Sequence, residues 1–203
     1  DNYIYTTKED KVSLLKDEVS AMNMLGINAN YQNNIPLPIN NIIGAIKIPN
    51  QACFNPVKYC YGLINTFSNL NNIYDNTGVT NISKDGNNYI VTTGNNCKVT
   101  CKYVVMATRY PIKDIPGFHF LKMYQDTSYI IAVKTKEKIF DGMYISCDNP
   151  TISFRNAKYN NEDILLIGGN TNKTGENINL KDRYDILIQT ANSIFKNYTI
   201  LDK

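Results

Sequence analysis

Lys173 and Thr174 close the stretch ILLIGGNTNKTGE (residues 164–176), where branched aliphatics meet a double glycine and then Lys-Thr-Gly. A lysine and a hydroxyl after glycines are the parts of a phosphate-binding loop, in which backbone N–H groups and the ammonium hold a nucleotide. That chemistry needs Gly, four residues, then Gly-Lys-Ser/Thr. Here Asn172 precedes the lysine, and the closing glycine, Gly175, follows the threonine. The order of the letters excludes a nucleotide hydrolase of that type. Gly168 and Gly169 are also the only glycines within two positions of each other, so the dinucleotide fingerprint GxGxxG is absent.

The remaining candidates for chemistry are five cysteines and one histidine. Cys53, Cys60, Cys97, Cys101 and Cys147 are irregularly spaced and odd in number, and contain no CxxC. His119 stands just after a Pro-Gly pair with no evident orienting partner. Neither a zinc centre, a disulfide framework nor a cysteine nucleophile is expected from such a set. Buried free thiols are the expectation. A net charge of +3 without a Lys/Arg cluster gives no reason to expect nucleic acid, and no apolar run reaches membrane-spanning length. The chain opens at Asp1 with neither Met nor a signal-like start, so it is expected to be a cytoplasmic piece of a longer polypeptide.

The elements that must position any site follow from periodicity. Val12, Leu15, Val19, Met22 and Leu25 recur at helical spacing and stop at Gly26, with Thr6 and Thr7 as candidate caps. An Asn- and Pro-rich loop follows, then the short strand IIGAIKI and a helix from Pro56 to about Ser68, with Asn55 as cap. From residue 71 strand-length runs alternate with the hairpin signals KDGNN and TGNN, ending in YVVMAT (103–108), expected as a strand buried on both faces. Further strands are expected at SYIIAVKT, GMYIS, TISFRNA and DILLIGG. A last helix places Leu180, Tyr184, Leu187, Ala191 and Ile194 on one face. This mixture predicts an α/β fold with α+β character.

The order of QACFNPVKYCYGL, NTGVTNI, the hairpin, YVVMATRYP, MYQDTSYIIA, GMYIS, ISFR and ILLIGGNTNKTG resembles the central part of the D-amino-acid oxidase and glycine oxidase (DAO) family, from about Tyr3 to Phe195. Members reading GGxxHKTG, some of which continue into a Rieske iron–sulfur domain, are the nearest in pattern. The resemblance implies a Rossmann-like FAD-binding domain interleaved with an antiparallel-sheet substrate domain. On that pattern residues 1–48 are a substrate-domain segment, 49–110 an FAD-domain segment, and 111–203 the substrate-domain sheet with its C-terminal helix. The family's GxGxxG and its closing FAD-domain segment have no counterpart here.

The resemblance also assigns residues. Backbone atoms at Val79 would hold the adenine, and the small Ala107 and Thr108 would let a strand end approach the cofactor. Arg109 departs from the Asn or His common there. Tyr124, Gln125 and Tyr129 fall near the flavin face, or are simple packing residues. Arg155, in TISFR, either pairs with a substrate carboxylate or faces solvent at a strand end. Asn55 and Asn172 stand where close relatives carry His, and the double glycine is expected to make a tight turn beside the flavin.

The implied function is oxidation of a C–N bond of an amine or amino acid by hydride transfer to FAD, in which the cofactor performs the difficult step. FAD is expected in the full-length protein and not in the fragment alone. The fragment is expected to be inactive and, with apolar surface exposed, to self-associate. The alternatives are a stand-alone interaction module or, less in keeping with the residues, a thiol- or metal-dependent enzyme.

Overall fold

The computed structural model describes residues 1–67, 73–113 and 117–203. The chain forms two compact units. One joins Asp1–Asn55 to Gln125–Lys203, and the other is the intervening Pro56–Tyr124.

The first unit is built on an eight-stranded mixed sheet. Its strands are β1 (Asn2–Thr6), β2 (Asn30–Gln32), β3 (Gly44–Ile48), β7 (Asp126–Thr135), β8 (Met143–Ser146), β9 (Ile152–Tyr159), β10 (Glu162–Lys173) and β11 (Tyr198–Asp202). They lie in the order β11-β7-β10-β9-β8-β1-β3-β2. All neighbours are antiparallel except β1 and β8, which run parallel. Strands β7 to β10 occupy the predicted runs, whereas β1, β2 and β11 fall on stretches without a clear alternation.

Helix α3 (Leu180–Ile194) lies across β7 and β10 and closes the main core. Leu187 and Ala191 from its inner face meet Ile131, Val133, Leu165, Ile167 and Phe154 from the strands. Asn179 caps the helix, its side chain accepting from the Lys181 N–H at 3.1 Å. On the opposite face, helix α1 (Val12–Met24) covers only the β1–β3 end, where Leu15 packs with Ile46 and Ala29.

Helix α1 stops as its sequence predicts. Gly26 has φ +80°, Ile27 N–H donates to Met22 O at 2.9 Å and Gly26 N–H to Asn23 O at 3.0 Å. These are the two bonds that satisfy orphan carbonyls at a glycine-terminated helix. Its start differs from expectation. Thr6 ends β1 and neither threonine caps the helix; both bind Asp148 instead. Thr6 Oγ1 also accepts locally from Lys8 N–H at 3.0 Å, but both hydroxyls reach the distant carboxylate.

The second unit holds helix α2 (Pro56–Thr66) and a three-stranded antiparallel meander of β4 (Val79–Asp85), β5 (Asn88–Thr93) and β6 (Lys98–Cys101). The expected end of α2 near Ser68 lies outside the described residues. Both hairpins fall at the predicted Gly-Asn turns. The expected strand YVVMAT is instead irregular, with Tyr103 86% and Val105 88% exposed. A strand apolar on both faces needs a neighbour on each side, and none pairs with it among the described residues.

Candidate functional site

The double glycine of β10 is not a turn. The strand continues through it to Lys173, with a bulge between Gly169 and Asn172 where three residues of β10 advance against two of β7. Gly169 has φ +134°, and a Cβ there would stand 2.0 Å from the Thr151 carbonyl oxygen. Only glycine allows β9 and β10 to approach this closely. Asn170 follows at φ 50° and turns its buried amide under α3, donating to Arg183 O at 2.9 Å and accepting from the Arg183 guanidinium at 3.2 Å.

The bulge decides which candidates meet. Tyr129 lies opposite Gly169, and its hydroxyl donates to Asn172 Oδ1 at 2.7 Å. Asn172 in turn donates to Lys173 O at 2.8 Å, and the Tyr129 ring packs edge-on against Tyr184. Tyr129 and Asn172 are therefore neighbours, buried on the α3 side of the sheet. Gln125 stands at the start of β7, where its carbonyl accepts from Thr174 N–H at 2.7 Å.

Arg155 belongs to the other face. It lies opposite Leu166 on β10 and Met143 on β8, and Leu166 lies opposite Ala132. Side chains facing one another across strands share a face, so this row points away from α3. The next row contains Ile130, Gly168, Ser153 and Ile145. Ile130 is 51% exposed and Ile145 41%, so this part of the face is open. Arg155 is exposed and has no ion-pair partner among the described residues. The chemistry such a surface offers is apolar contact around one unpaired planar cation, suited to a carboxylate. The adjacent apolar pairs in SYIIAV and DILLIG were the signal that both faces of these strands are apolar.

In the second unit, Val79 begins β4, one of the two edge strands of the meander, and is half-buried opposite Thr93. An edge strand leaves alternate backbone N–H and C=O groups outside the ladder. Ala107 and Thr108 are exposed, and the Thr108 hydroxyl donates to Tyr110 O at 2.7 Å. Tyr124 is exposed at the last position of this unit.

None of the three helices of the described residues offers a pyrophosphate cradle. Glu9 and Asp10 precede α1, Pro56 without an N–H opens α2, and α3 has its cap filled by Asn179 with Asp182 in the first turn. The described residues thus supply no anion-binding helix start for a pyrophosphate.

A polar cluster that local sequence patterns do not reveal joins β1 to the β8–β9 connection. Asp148 is buried and accepts from the Thr6 hydroxyl, and from Thr7 N–H and Oγ1 at 2.8 Å each. Burial opposes its ionisation, but the hydrogen bonds from Thr6 and Thr7, with Lys8 nearby, hold its carboxyl below the ordinary value. Burial likewise raises the nearby Cys147 thiol, and pushes the Tyr144 phenol up to about 12. All five cysteines are free but none is buried as expected, since Cys53, Cys60 and Cys97 are exposed and Cys101 and Cys147 half-buried; no cluster of three metal-ligating side chains occurs among the described residues. No helix among them is long and apolar enough to cross a membrane.

Comparison with known proteins gives these faces a context. The chain is 30% identical over 194 residues to a putative Rieske 2Fe-2S iron-sulfur protein, YhfW, of Bacillus subtilis (strain 168), covering 95% of this chain and 38% of that protein. It superposes on a crystal structure of glycine oxidase from Bacillus cereus ATCC 14579 with a TM-score of 0.72 at 15% identity, covering 99% of this chain and 58% of that one. The chain thus spans less than two thirds of either. Residues 6–202 match the family described as FAD dependent oxidoreductase, DAO. The chain belongs to the DAO family of FAD-dependent oxidoreductases, and FAD is the cofactor that membership implies for the full-length protein.

Proposed function

We propose that this chain carries the substrate-facing sheet and the adenine-side wall of an enzyme that oxidises a C–N bond of an amine or amino acid. The observation that carries the reading is the unequal cover of the eight-stranded sheet. One face is sealed by α3, while the other leaves Ile130, Ile145 and Arg155 toward solvent. An apolar wall with few titratable groups excludes water from a reacting carbon and leaves orientation to a single charge. When bound, FAD supplies the hydride acceptor. Arg155 holds a substrate carboxylate, and Ile130 and Ile145 pack against its carbon chain. Tyr129 and Asn172, behind the sheet, fix the end of β10, and Gln125 fixes the segment that follows it. Tyr124 lines the approach to the flavin.

In the second unit the main chain at Val79 meets the adenine, and Ala107 and Thr108 allow close approach of the cofactor. Residues 1–48 and 111–203 are then the substrate domain and residues 49–110 a part of the FAD domain. The pyrophosphate contact falls to segments of the full-length protein that these residues do not supply. Five free thiols support a reducing, cytoplasmic setting. On this reading the isolated chain is inactive and self-associates through the apolar surface of its second unit, with a concentration-dependent sedimentation coefficient.

The deciding experiment purifies the full-length protein and records its visible spectrum before and after anaerobic addition of amine and amino-acid panels. Oxidised-flavin absorbance that bleaches with a C–N substrate is the expected result. Colourless protein that takes up no FAD ends the proposal. In the same assay Arg155→Leu should raise KM for a carboxylate-bearing substrate about 10²-fold, as expected on losing about 2–3 kcal/mol of charge-assisted hydrogen bonding. An unchanged KM removes Arg155 from the site without touching the flavin chemistry.

A further inference from the structure

We draw no further inference here: the strongest candidate, the apolar groove along α2 lined by Pro56, Val57, Cys60, Tyr61, Ile64 and Ile73, is an unpartnered helix face, and nothing in the structure shows what covers it.

Discussion

The two units use the same kinds of residue and bury them differently. In the first, Ile131, Val133, Leu165, Ile167 and Leu187 are fully enclosed between sheet and helix. In the second, α2 is as amphipathic as α3, yet buries no residue, and Thr93 is the only buried side chain among the unit's described residues. Amphipathic pattern specifies that a face wants cover; it does not supply the cover. The first unit holds its partners within its own residues, so its stability is intrinsic. The second keeps its hairpins by local turn chemistry and carries its apolar face open.

Gly169→Val tests this contrast hardest. Its side chain would meet the Thr151 carbonyl in a backbone conformation that L-residues rarely adopt, at an expected cost of about 4 kcal/mol or more. Chemical denaturation followed by near-UV circular dichroism reads the loss. A wild-type midpoint would mean that the bulge is not constrained as described.

Leu187→Ala should cost about 3 kcal/mol through the cavity it leaves, whereas Val105→Ser in the second unit should change stability by less than about 0.5 kcal/mol. Residue-resolved hydrogen exchange separates the two. Equal losses of protection in both variants would erase the distinction between the units.

Asp148 gives the first unit an acid limit. Its folded-state pKa lies below the unfolded value, so its contribution is fully present above the unfolded pKa of about 4 and is lost as pH falls through the depressed folded value. Asp148→Ala should cost about 2 kcal/mol at neutral pH by leaving the Thr6 and Thr7 donors unmatched, and should flatten the acid side of the stability profile. A variant whose profile keeps the wild-type slope below about pH 4 would assign the acid limit to another group.

Tyr129→Phe removes one buried hydrogen bond and should cost about 1 kcal/mol, with a new amide environment at Asn172 visible by NMR. The last effect has the opposite sign. Gly62 lies inside α2, and a Cβ added there would meet nothing within 4 Å, so Gly62→Ala should stabilise that helix by about 0.5–1 kcal/mol. A loss of stability there would mean that the α2 face is already packed.

The elements legible in advance were those whose information is local. The 3.6-residue spacing of Leu187 and Ala191, the stop at Gly26 and the turns at Gly86 and Asn96 all follow from neighbouring residues, and all are present. What stayed hidden depends on distant partners. Thr6 and Thr7 carry cap chemistry in sequence, but Asp148 lies more than a hundred residues away. The double glycine reads as a turn because close strand approach and turning both demand glycine, and only the Thr151 carbonyl distinguishes them. YVVMAT reads as a buried strand because its composition describes a neighbourhood that the described residues do not provide. Arg155, Tyr129 and Asn172 could be named as candidates from the sequence, but their division between two faces could not. Strand alternation sets Arg155 apart from Tyr129, and one extra residue in β10 brings Asn172 to the Tyr129 face.

The parallel pairing of β1 with β8 also sets a clock on synthesis. Asn2 pairs with Met143, so β1 leaves the ribosome 141 residues before its partner strand. At roughly 5–20 residues per second that interval is on the order of ten seconds. The whole of the second unit is translated within it. A hairpin of β1 and β3 backed by α1 can form early, but its other edge must stay unpaired until the chain returns. Until then the β8-facing edge of β1 is an exposed strand edge in the nascent chain, open to pairing with another chain.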